Sequence, residues 1–465
     1  MTIARHCFSA PGKAFVAGGY LVLDPENPAF VTALSARIYA ITTPSLSLDR
    51  TLPTITVLSP QFQGGEWSYS LCRSPTTSFV SLSAVTPSSR NPFVQSAVAT
   101  VINYLSATGA LKTSVASLRI TILSDNAYHS QPSDPVPQFN KHQLPIEAVP
   151  KTGLGSSAAL TTSLVAALLS FYASIDPVAS ESKKILHNLA QVAHCNAQGK
   201  VGSGFDVACA VYGSIVYHRF QPSIISSLPS APTSSENEPE VSYLLSLKNV
   251  IEVDWQVGTD ACAIPRRLRL LMGDVTGGSE TPAMVQKVLR WRKDGGQSAE
   301  AVWTTLGKAN EKLIATMIEL GEQAVEKPDE YDAFVDGIVN ANTSGIRQLG
   351  LSRGGRTGQL FAQAVDAIVE IRHNLRIMTS GSGAQIEPVE QTKLLDACSV
   401  LPGVLGGVVP GAGGYDAVCL IVAEAAVDDI TKHTDGEFKN VKWLELREEA
   451  TGVREEDMHE IEKFL

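Results

Sequence analysis

The sequence predicts a two-domain protein that contains both helices and strands, and three observations support this fold class. The chain has 465 residues, which exceeds the usual size of one domain. A stretch rich in Ser, Pro and acidic residues, 221–240, interrupts the chain near its middle and is typical of a flexible crossing or domain boundary. On both sides of it, β-type runs alternate with helical patterns that follow glycine-rich turns.

Composition excludes several classes of function. The net charge of −10 argues against a general binder of nucleic acid or of anionic membranes. Seven scattered cysteines without a CxxC pair indicate reduced thiols, not disulfides or a zinc site. Residues 1–10 lack the apolar core of a secretory signal, and we expect no membrane span. The sequence therefore predicts a cytoplasmic protein without nucleic-acid or membrane partners, either a monomer or a homodimer.

One stretch, Lys151-Thr152-Gly153-Leu154-Gly155-Ser156-Ser157-Ala158-Ala159, runs directly into the apolar segment 161–169. A glycine-rich turn that opens a helix leaves backbone N–H groups unpaired, and the helix dipole adds partial positive charge there. The pattern predicts a phosphate-binding site, although a core helix capped by serine would have the same sequence pattern. No Gly-Lys-Ser/Thr follows at the Walker spacing.

Before this stretch, residues 7–24 contain Pro-Gly and Gly-Gly pairs between β-type runs, which predicts a hairpin with Lys13 near its bend. A lysine at such a place is usually only solvated. Further strands are predicted over 30–41, 54–58 and 117–123, with a helix over 91–107. The segment 125–150 is rich in proline and polar residues, which favours a long surface insertion.

After the glycine stretch, Asp176-Pro177 predicts the start of a helix that runs towards Ala197 and ends at Gln198-Gly199. The following residues 200–210 again place Gly and Ser before an apolar run. They contain one acid, Asp206, which is either a helix cap or a catalytic carboxylate.

The second half begins with a predicted strand over 268–275 and a turn over 276–282, where Thr281 before Pro282 predicts a cap. Helices are predicted from there through Lys293 and over 298–325, 329–349, 357–372 and about 388–400. A last glycine cluster at 410–416 leads into a buried strand over 417–422, and a final strand covers 439–447. No fixed-period repeat is present.

Three motifs in this order resemble those of the GHMP kinase superfamily: Ala10-Pro11-Gly12-Lys13, Gly153-Leu154-Gly155-Ser156-Ser157-Ala158-Ala159 and Pro410-Gly411-Ala412-Gly413-Gly414. The resemblance spans essentially the whole chain. It implies an α+β fold in which an N-terminal domain carries the phosphate loop and a ferredoxin-like domain follows, with the active site between them. The expected boundaries are 1–225 and 261–465, joined by a connection over 226–260.

Four stretches are similar to those of the fungal-type phosphomevalonate kinases within that superfamily: 18–23, 201–208, 276–282 and 410–416. This resemblance implies an enzyme that uses ATP and Mg²⁺. Its reaction would convert (R)-5-phosphomevalonate and ATP into 5-diphosphomevalonate and ADP, on the mevalonate route to isoprenoids and sterols.

The resemblance also implies roles for individual residues. Asp206 matches the catalytic base or orienting charge, and Lys13 matches the lysine that steadies the attacked oxygen. Ser157, with Ser156 as the alternative, would bind Mg²⁺. The ATP phosphates would be held by Lys151, Gly153, Leu154, Gly155, Ser156, Ser157, Ala158 and Ala159. The acceptor would be bound by Lys13, Tyr20, Lys200, Ser203, Gly204, Thr276, Gly278, Ser279, Gly411, Gly413 and Gly414.

Two departures separate the chain from mevalonate kinases. Those enzymes carry a Glu, their second magnesium ligand, eleven residues before the catalytic Asp, and Cys195 occupies that position here. A thiol is a poor ligand for Mg²⁺, which prefers oxygen. The first motif also continues as Gly18-Gly19-Tyr20 where many relatives have Gly-Glu-His. Both changes agree with a phosphomevalonate kinase.

Other functions stay open at this point. Another small-molecule GHMP kinase, such as a mevalonate kinase, would share the three motifs. A non-catalytic ligand sensor on the same fold would not need Lys13, Ser157 and Asp206 together. An oxidoreductase is disfavoured because Gly411-Ala412-Gly413 follows no clear strand and opens no cofactor helix. Lys200 follows Gln198-Gly199, where a lysine is often just a solvated helix end.

Overall fold

The computed structural model describes residues 5–45, 52–85, 90–111, 116–130, 137–232, 237–275, 281–353 and 355–464. The strands are β1 (Cys7–Ala17), β2 (Ala29–Ser45), β3 (Thr54–Leu58), β4 (Glu66–Arg73), β5 (Val80–Ala84), β6 (Ser117–Ser124), β7 (Ile215–His218), β8 (Gly258–Ala261), β9 (Leu268–Val275), β10 (Val404–Val408), β11 (Ala417–Ala423), β12 (Val441–Leu444), β13 (Glu448–Glu449) and β14 (Arg454–Glu455). The helices are α1 (Pro92–Ala107), α2 (Ser156–Ala173), α3 (Ser180–Gln198), α4 (Phe205–Tyr212), α5 (Ser223–Ser226), α6 (Asn237–Glu252), α7 (Thr281–Asp294), α8 (Gly296–Glu326), α9 (Pro328–Ile338), α10 (Thr343–Arg353), α11 (Gly355–Ser382), α12 (Val389–Ser399), α13 (Val427–Thr431) and α14 (Met458–Glu462).

The N-terminal domain is built on a sheet whose main path runs β14-β1-β2-β6-β3-β4-β5. Strand β13 adds to β2, and β7 joins β2 to β8. Helix α2 packs on β1 and β2, and α1 and α3 flank it. This helix is buried along most of its length, so the glycine turn at its start is anchored in the core.

The C-terminal domain holds an antiparallel sheet in the order β10-β11-β9-β12. Along the chain the helices α7–α12 lie between β9 and β10, and α13 lies between β11 and β12. This is the split β-α-β-β-α-β arrangement of ferredoxin-like domains. The predicted two-domain α+β fold is confirmed.

The ends of the two domains are interleaved in a way that the predicted boundaries missed. Residues 448–455 lie in the predicted second domain, 261–465, yet β13 and β14 pair with β2 and β1 of the first. The expected connection over 226–260 contains α6 and most of β8. Helix α6 packs on α1 and α3 and buries Leu247 and Ile251 completely.

Arg37 binds the C-terminal segment 448–455 to the N-terminal sheet. Its side chain is 1% exposed and donates hydrogen bonds to the carboxylate of Glu449 and to the backbone carbonyls of Ser9 and Gly452. Glu456 lies 3.6 Å from the guanidinium Nε. The strand that carries Lys13 is therefore tied to the last residues of the chain.

Helix α2 is the one described helix that is long and apolar enough, by length and composition, to cross a membrane, although we expected no such segment. Its apolar residues are buried between the sheet and the neighbouring helices. The helix is therefore the core helix of the N-terminal domain.

Two predicted boundaries in the first half were wrong for local reasons. The Pro11-Gly12 pair forms an irregularity within the continuous strand β1, and the chain turns only at Gly18-Gly19-Tyr20. Helix α3 begins at Ser180, four residues after the expected Asp176. The carboxylate of Asp176 instead accepts a hydrogen bond from the backbone N–H of Val178, which makes a turn.

Further differences concern segments without a strong pattern. Strands β4 and β5 were not predicted. The helix predicted over 329–349 is divided into α9 and α10, and Gly381-Ser382 ends α11. The predicted surface insertion 125–150 is partly buried, because Tyr128, His129 and Val149 are each at most 5% exposed.

We predict that Arg37→Met destabilises the protein by roughly 3 kcal/mol, because it leaves the carboxylates of Glu449 and Glu456 without their buried partner. The free energy of unfolding in urea measures this. Arg5→Met is the matched control, since Arg5 forms an exposed pair with Glu462 and should change stability by less than about 1 kcal/mol. Equal losses for the two variants would contradict the assigned role of Arg37.

Candidate active site

The glycine turn enters helix α2 with two residues in the left-handed region, Gly153 at φ +74° and Gly155 at φ +79°. Gly155 is the N-cap residue, and no side chain caps the helix from that position. The first-turn N–H groups are thus left to a ligand, and the helix dipole adds partial positive charge. The geometry suits an anionic group such as phosphate.

Strand β1 holds this turn through Lys13. The backbone N–H of Lys13 donates to the carbonyl of Leu154 over 2.9 Å, and its Nζ donates to the carbonyl of Gly153 over 2.8 Å. The approach is so close that a Cβ on Gly12 would lie 3.1 Å from the Leu154 oxygen. A Cβ on Gly155 would lie 3.1 Å from Cγ of Lys13. A side chain at either glycine would therefore crowd this contact.

Lys13 also faces the loop that carries Asp206. Its Nζ lies 5.8 Å from the centre of the Phe205 ring. Burial lowers the pKa of Lys13, and the negative charge of Asp206 acts in the opposite direction. The structure thus brings together the predicted lysine, the predicted acid and the glycine turn.

Asp206 lies in the first turn of α4, behind Gly204 at φ +86°. A Cβ on Gly204 would approach the Phe220 ring to 2.7 Å and the Tyr217 hydroxyl to 2.8 Å. The Tyr217 hydroxyl donates to the carbonyl of Ser203 over 2.8 Å. The backbone that presents Asp206 is therefore packed against β7 and the residues that follow it.

Arg219 joins the Asp206 loop to the turn that follows β1. Its guanidinium donates to the carbonyl of Gly202 and to the carbonyl of Leu23, and the residue is 9% exposed. Sequence reasoning missed both Arg219 and Tyr217, because a single polar residue beside a short strand gives no pattern.

The third motif comes from the C-terminal domain and contacts the first. The Tyr20 hydroxyl donates to the carbonyl of Ala412 over 2.6 Å, and a Cβ on Gly19 would lie 3.1 Å from the Gly411 oxygen. Gly413, at φ +81°, passes so near Ile386 that a Cβ there would lie 2.2 Å from its carbonyl oxygen. The two domains therefore close on one side of the site through these motifs.

Ser157 lies beside a histidine that the sequence analysis did not single out. Its Oγ is 3.0 Å from Nε2 of His194, and the same nitrogen is 3.9 Å from Oδ2 of Asp206. A Ser-His-Asp relay needs its two partners on different ring nitrogens, so this arrangement is not one. The position of His194 next to Cys195, on the helix before Asp206, was the only signal in the sequence.

Cys195 does not resemble a magnesium ligand. It is 3% exposed, Nε2 of Gln191 contacts its Sγ at 3.2 Å, and burial raises the pKa of its thiol. Among the residues that the structure describes, no three His, Cys, Asp or Glu side chains form a metal-binding group.

A cavity of 330 Å³ opens beside the start of α2. Its lining includes Lys151, Ser156 and Ser157 from the glycine stretch, and its walls are largely apolar. The walls include Ile38, Phe62, Trp67, Phe93, Ile122, Ile146 and Leu160. An apolar cavity beside a helix start that can bind an anion suits a ligand with a flat ring and a phosphate chain.

The remaining predicted residues are placed as follows. Ala158 and Ala159 are buried in α2 and could reach a ligand only through their backbone. Lys200 is exposed and lines a separate groove with Cys195 and Gly199. Thr276, Gly278 and Ser279 lie outside the described residues. The ligand assignments of all these residues stay predictions.

Comparison with known proteins gives three results. Residues 136–214 match the model of the GHMP kinases N terminal domain. The chain is 40% identical to "Phosphomevalonate kinase" of Candida albicans, covering 97% of both chains, and 32% identical to "Phosphomevalonate kinase, peroxisomal" of Arabidopsis thaliana, covering 96% and 95%. The structure matches that of Streptococcus pneumoniae phosphomevalonate kinase in complex with phosphomevalonate and AMPPNP at a TM-score of 0.59 and 15% identity, over 96% and 99% of the chains. This last likeness bears on the fold alone.

We predict that Gly155→Ala lowers turnover far more than it lowers stability, because the new methyl group pushes on the Lys13 side chain. Gly199→Ala is the matched control: Gly199 also has a positive φ, +67°, but a Cβ there meets nothing within 4 Å. Both variants should lose roughly 1 kcal/mol of stability from backbone strain. Only Gly155→Ala should lose most of its activity, and equal activity in both would contradict the contact.

Proposed function

The chain belongs to the phosphomevalonate kinase family of the GHMP kinases, and we propose that it transfers the γ-phosphoryl group of ATP to phosphomevalonate. The observation that carries this proposal is the meeting of three distant stretches at one place. The start of α2, the Lys13 side chain and the Asp206 loop surround a single anion seat. Such a site can position two phosphorylated molecules and neutralise their charge, which is most of what phosphoryl transfer requires.

The ATP would lie with its adenosine in the apolar cavity and its phosphates at the start of α2. The cavity walls suit a planar base, and the N–H groups of the first helical turn suit the phosphate oxygens. Ser156 and Ser157 line the cavity and also begin the helix. Lys151 lines it too, where its ammonium could pair with a phosphate.

The residues present fit Mg²⁺ bound together with ATP, and they do not fit an all-protein cage. Mg²⁺ is usually held by one or two protein oxygens, substrate phosphates and water. The Ser157 hydroxyl and the partly exposed Asp206 carboxylate supply such oxygens, whereas the buried Cys195 thiol does not. When bound, Mg²⁺ would neutralise charge on the phosphates.

In the proposed reaction, a phosphate oxygen of phosphomevalonate attacks the γ-phosphorus of ATP. The bond between that phosphorus and the β,γ-bridging oxygen breaks, and ADP leaves with the electron pair. Lys13 would stabilise the negative charge around the attacked phosphoryl group. Asp206 would either take the remaining proton of the acceptor or orient the acceptor beside Lys13.

Two rival functions are less well supported by the site. A mevalonate kinase would need a second carboxylate ligand where Cys195 lies buried. A non-catalytic sensor would have no use for a partly buried lysine that lies near an acid and a helix start suited to an anion. For the location we propose the cytoplasm, because all seven cysteines are free thiols.

The proposal predicts that phosphomevalonate supports ADP release with ATP and Mg²⁺, and that mevalonate, galactose and homoserine do not. A coupled ADP assay measures the rates. ³¹P NMR should then show a new diphosphate in the product, since the acceptor's phosphate gains a second phosphoryl group. Equal or faster ADP release with mevalonate would refute the assignment of the acceptor.

We further predict that Asp206→Asn lowers kcat by about 10²–10⁴-fold if the carboxylate is a general base, while ATP affinity changes little. A phosphate monoester loses its last proton near about pH 6. The deficit should therefore shrink between pH 6 and pH 8 as the acceptor becomes fully ionised. A large deficit that does not depend on pH would assign Asp206 the orienting role instead.

The control is Asp260→Asn, at an exposed position of β8, which should behave like the native protein. Near-native turnover of Asp206→Asn would mean that Asp206 is only a helix cap.

A further inference from the structure

His194 is a buried polar side chain at the site to which no role has been given so far. Its side chain is 4% exposed and lies on α3, where it packs against the Phe93 ring at 5.4 Å between centroids. Its Nε2 atom is 3.0 Å from Oγ of Ser157 and 3.4 Å from Nε2 of Gln198. The imidazole is therefore fixed between the start of α1 and the start of α2.

The direction of the hydrogen bond between His194 and Ser157 depends on which ring nitrogen carries the proton. The amide nitrogen of Gln198 can only donate, and it faces Nε2 of His194 at 3.4 Å, an arrangement that suits an unprotonated Nε2. With the ring proton on Nδ1, the Ser157 hydroxyl donates to Nε2 over 3.0 Å. The 3.9 Å separation from Asp206 is accordingly not a hydrogen bond.

A serine hydroxyl whose proton is already donated to a fixed partner presents its oxygen lone pairs elsewhere. We infer that His194 accepts the proton of Ser157 across this contact and is the positioning residue that directs the Ser157 oxygen towards Mg²⁺, and that it supports the metal in the absence of a carboxylate at Cys195. Partners that orient a metal ligand are typically worth about 10–100-fold in metal affinity. The inference rests on the proposed function, because Ser157 is a metal ligand only if Mg²⁺ and ATP bind here.

Two substitutions separate orientation from packing. His194→Phe keeps a ring against Phe93 but removes the acceptor for the Ser157 proton. His194→Gln places an amide oxygen near the position of Nε2 and should restore much of the effect. His187→Phe is the matched control, since His187 is also buried on α3 but has no contact with Ser157.

The measurement is the affinity for AMPPNP by titration calorimetry, once with Mg²⁺ and once with EDTA, without any acceptor. We expect His194→Phe to weaken binding by about 10–100-fold with Mg²⁺ and to leave binding in EDTA unchanged. Ser157→Ala should show the same loss, and the double variant should lose no more than either single one. Equal weakening in both conditions, or additive losses, would overturn the inference.

The proton assignment can be tested in the native protein, which covers the case in which His194→Phe does not fold. In a sample with ¹⁵N-labelled histidine, NMR should show His194 as the neutral ring with its proton on Nδ1. A proton on Nε2 would overturn the inference. Failure of the native protein to bind AMPPNP in either condition would instead refute the proposed function, so the two failures are distinguishable.

Discussion

The pair of hydrogen bonds between Lys13 and the glycine turn is the interaction on which the rest of the site depends. The backbone of β1 holds the carbonyl of Leu154, and the ammonium of the same residue holds the carbonyl of Gly153. Lys13 thereby fixes the turn that opens α2. Its own positive charge also lies where the phosphates would bind. Because a Cβ on Gly12 or Gly155 would crowd this contact, the turn and the lysine are packed closely together.

Strand β1, which carries Lys13, is held in place by parts of the chain that are far apart in sequence. Tyr20 reaches the carbonyl of Ala412, and Arg292 of α7 lies 3.5 Å from Asp24 in the turn after β1. The last strands then pair with β1 and β2. The N-terminal strand that carries Lys13 is thus supported by the C-terminal domain and by the returning chain end, so site geometry and global stability are coupled.

The proposed magnesium site would differ from one built on two carboxylates. A buried thiol at Cys195 removes one oxygen, and desolvation keeps that thiol protonated. The neighbouring His194 instead contacts the serine at the start of α2. An acceptor that already carries a phosphate brings further oxygens to the site, which reduces the need for a second protein carboxylate.

The sequence by itself located the glycine turns and the apolar helix α2, because these are local patterns. The resemblance carried by its three motifs supplied the fold class and singled out Lys13, Ser157 and Asp206 as candidate site residues. The sequence also located β3, β9 and the start of α1, where Asn91 accepts hydrogen bonds from the first helical turn. It could not find His194, Arg219 or Tyr217, whose roles come from contacts between separate elements. The irregularity at Pro11-Gly12 and the return of β13 and β14 to the first sheet were likewise decided by tertiary structure, since strand pairing over hundreds of residues leaves no local pattern. What a residue type can do was readable from the chain, but which groups meet depended on packing.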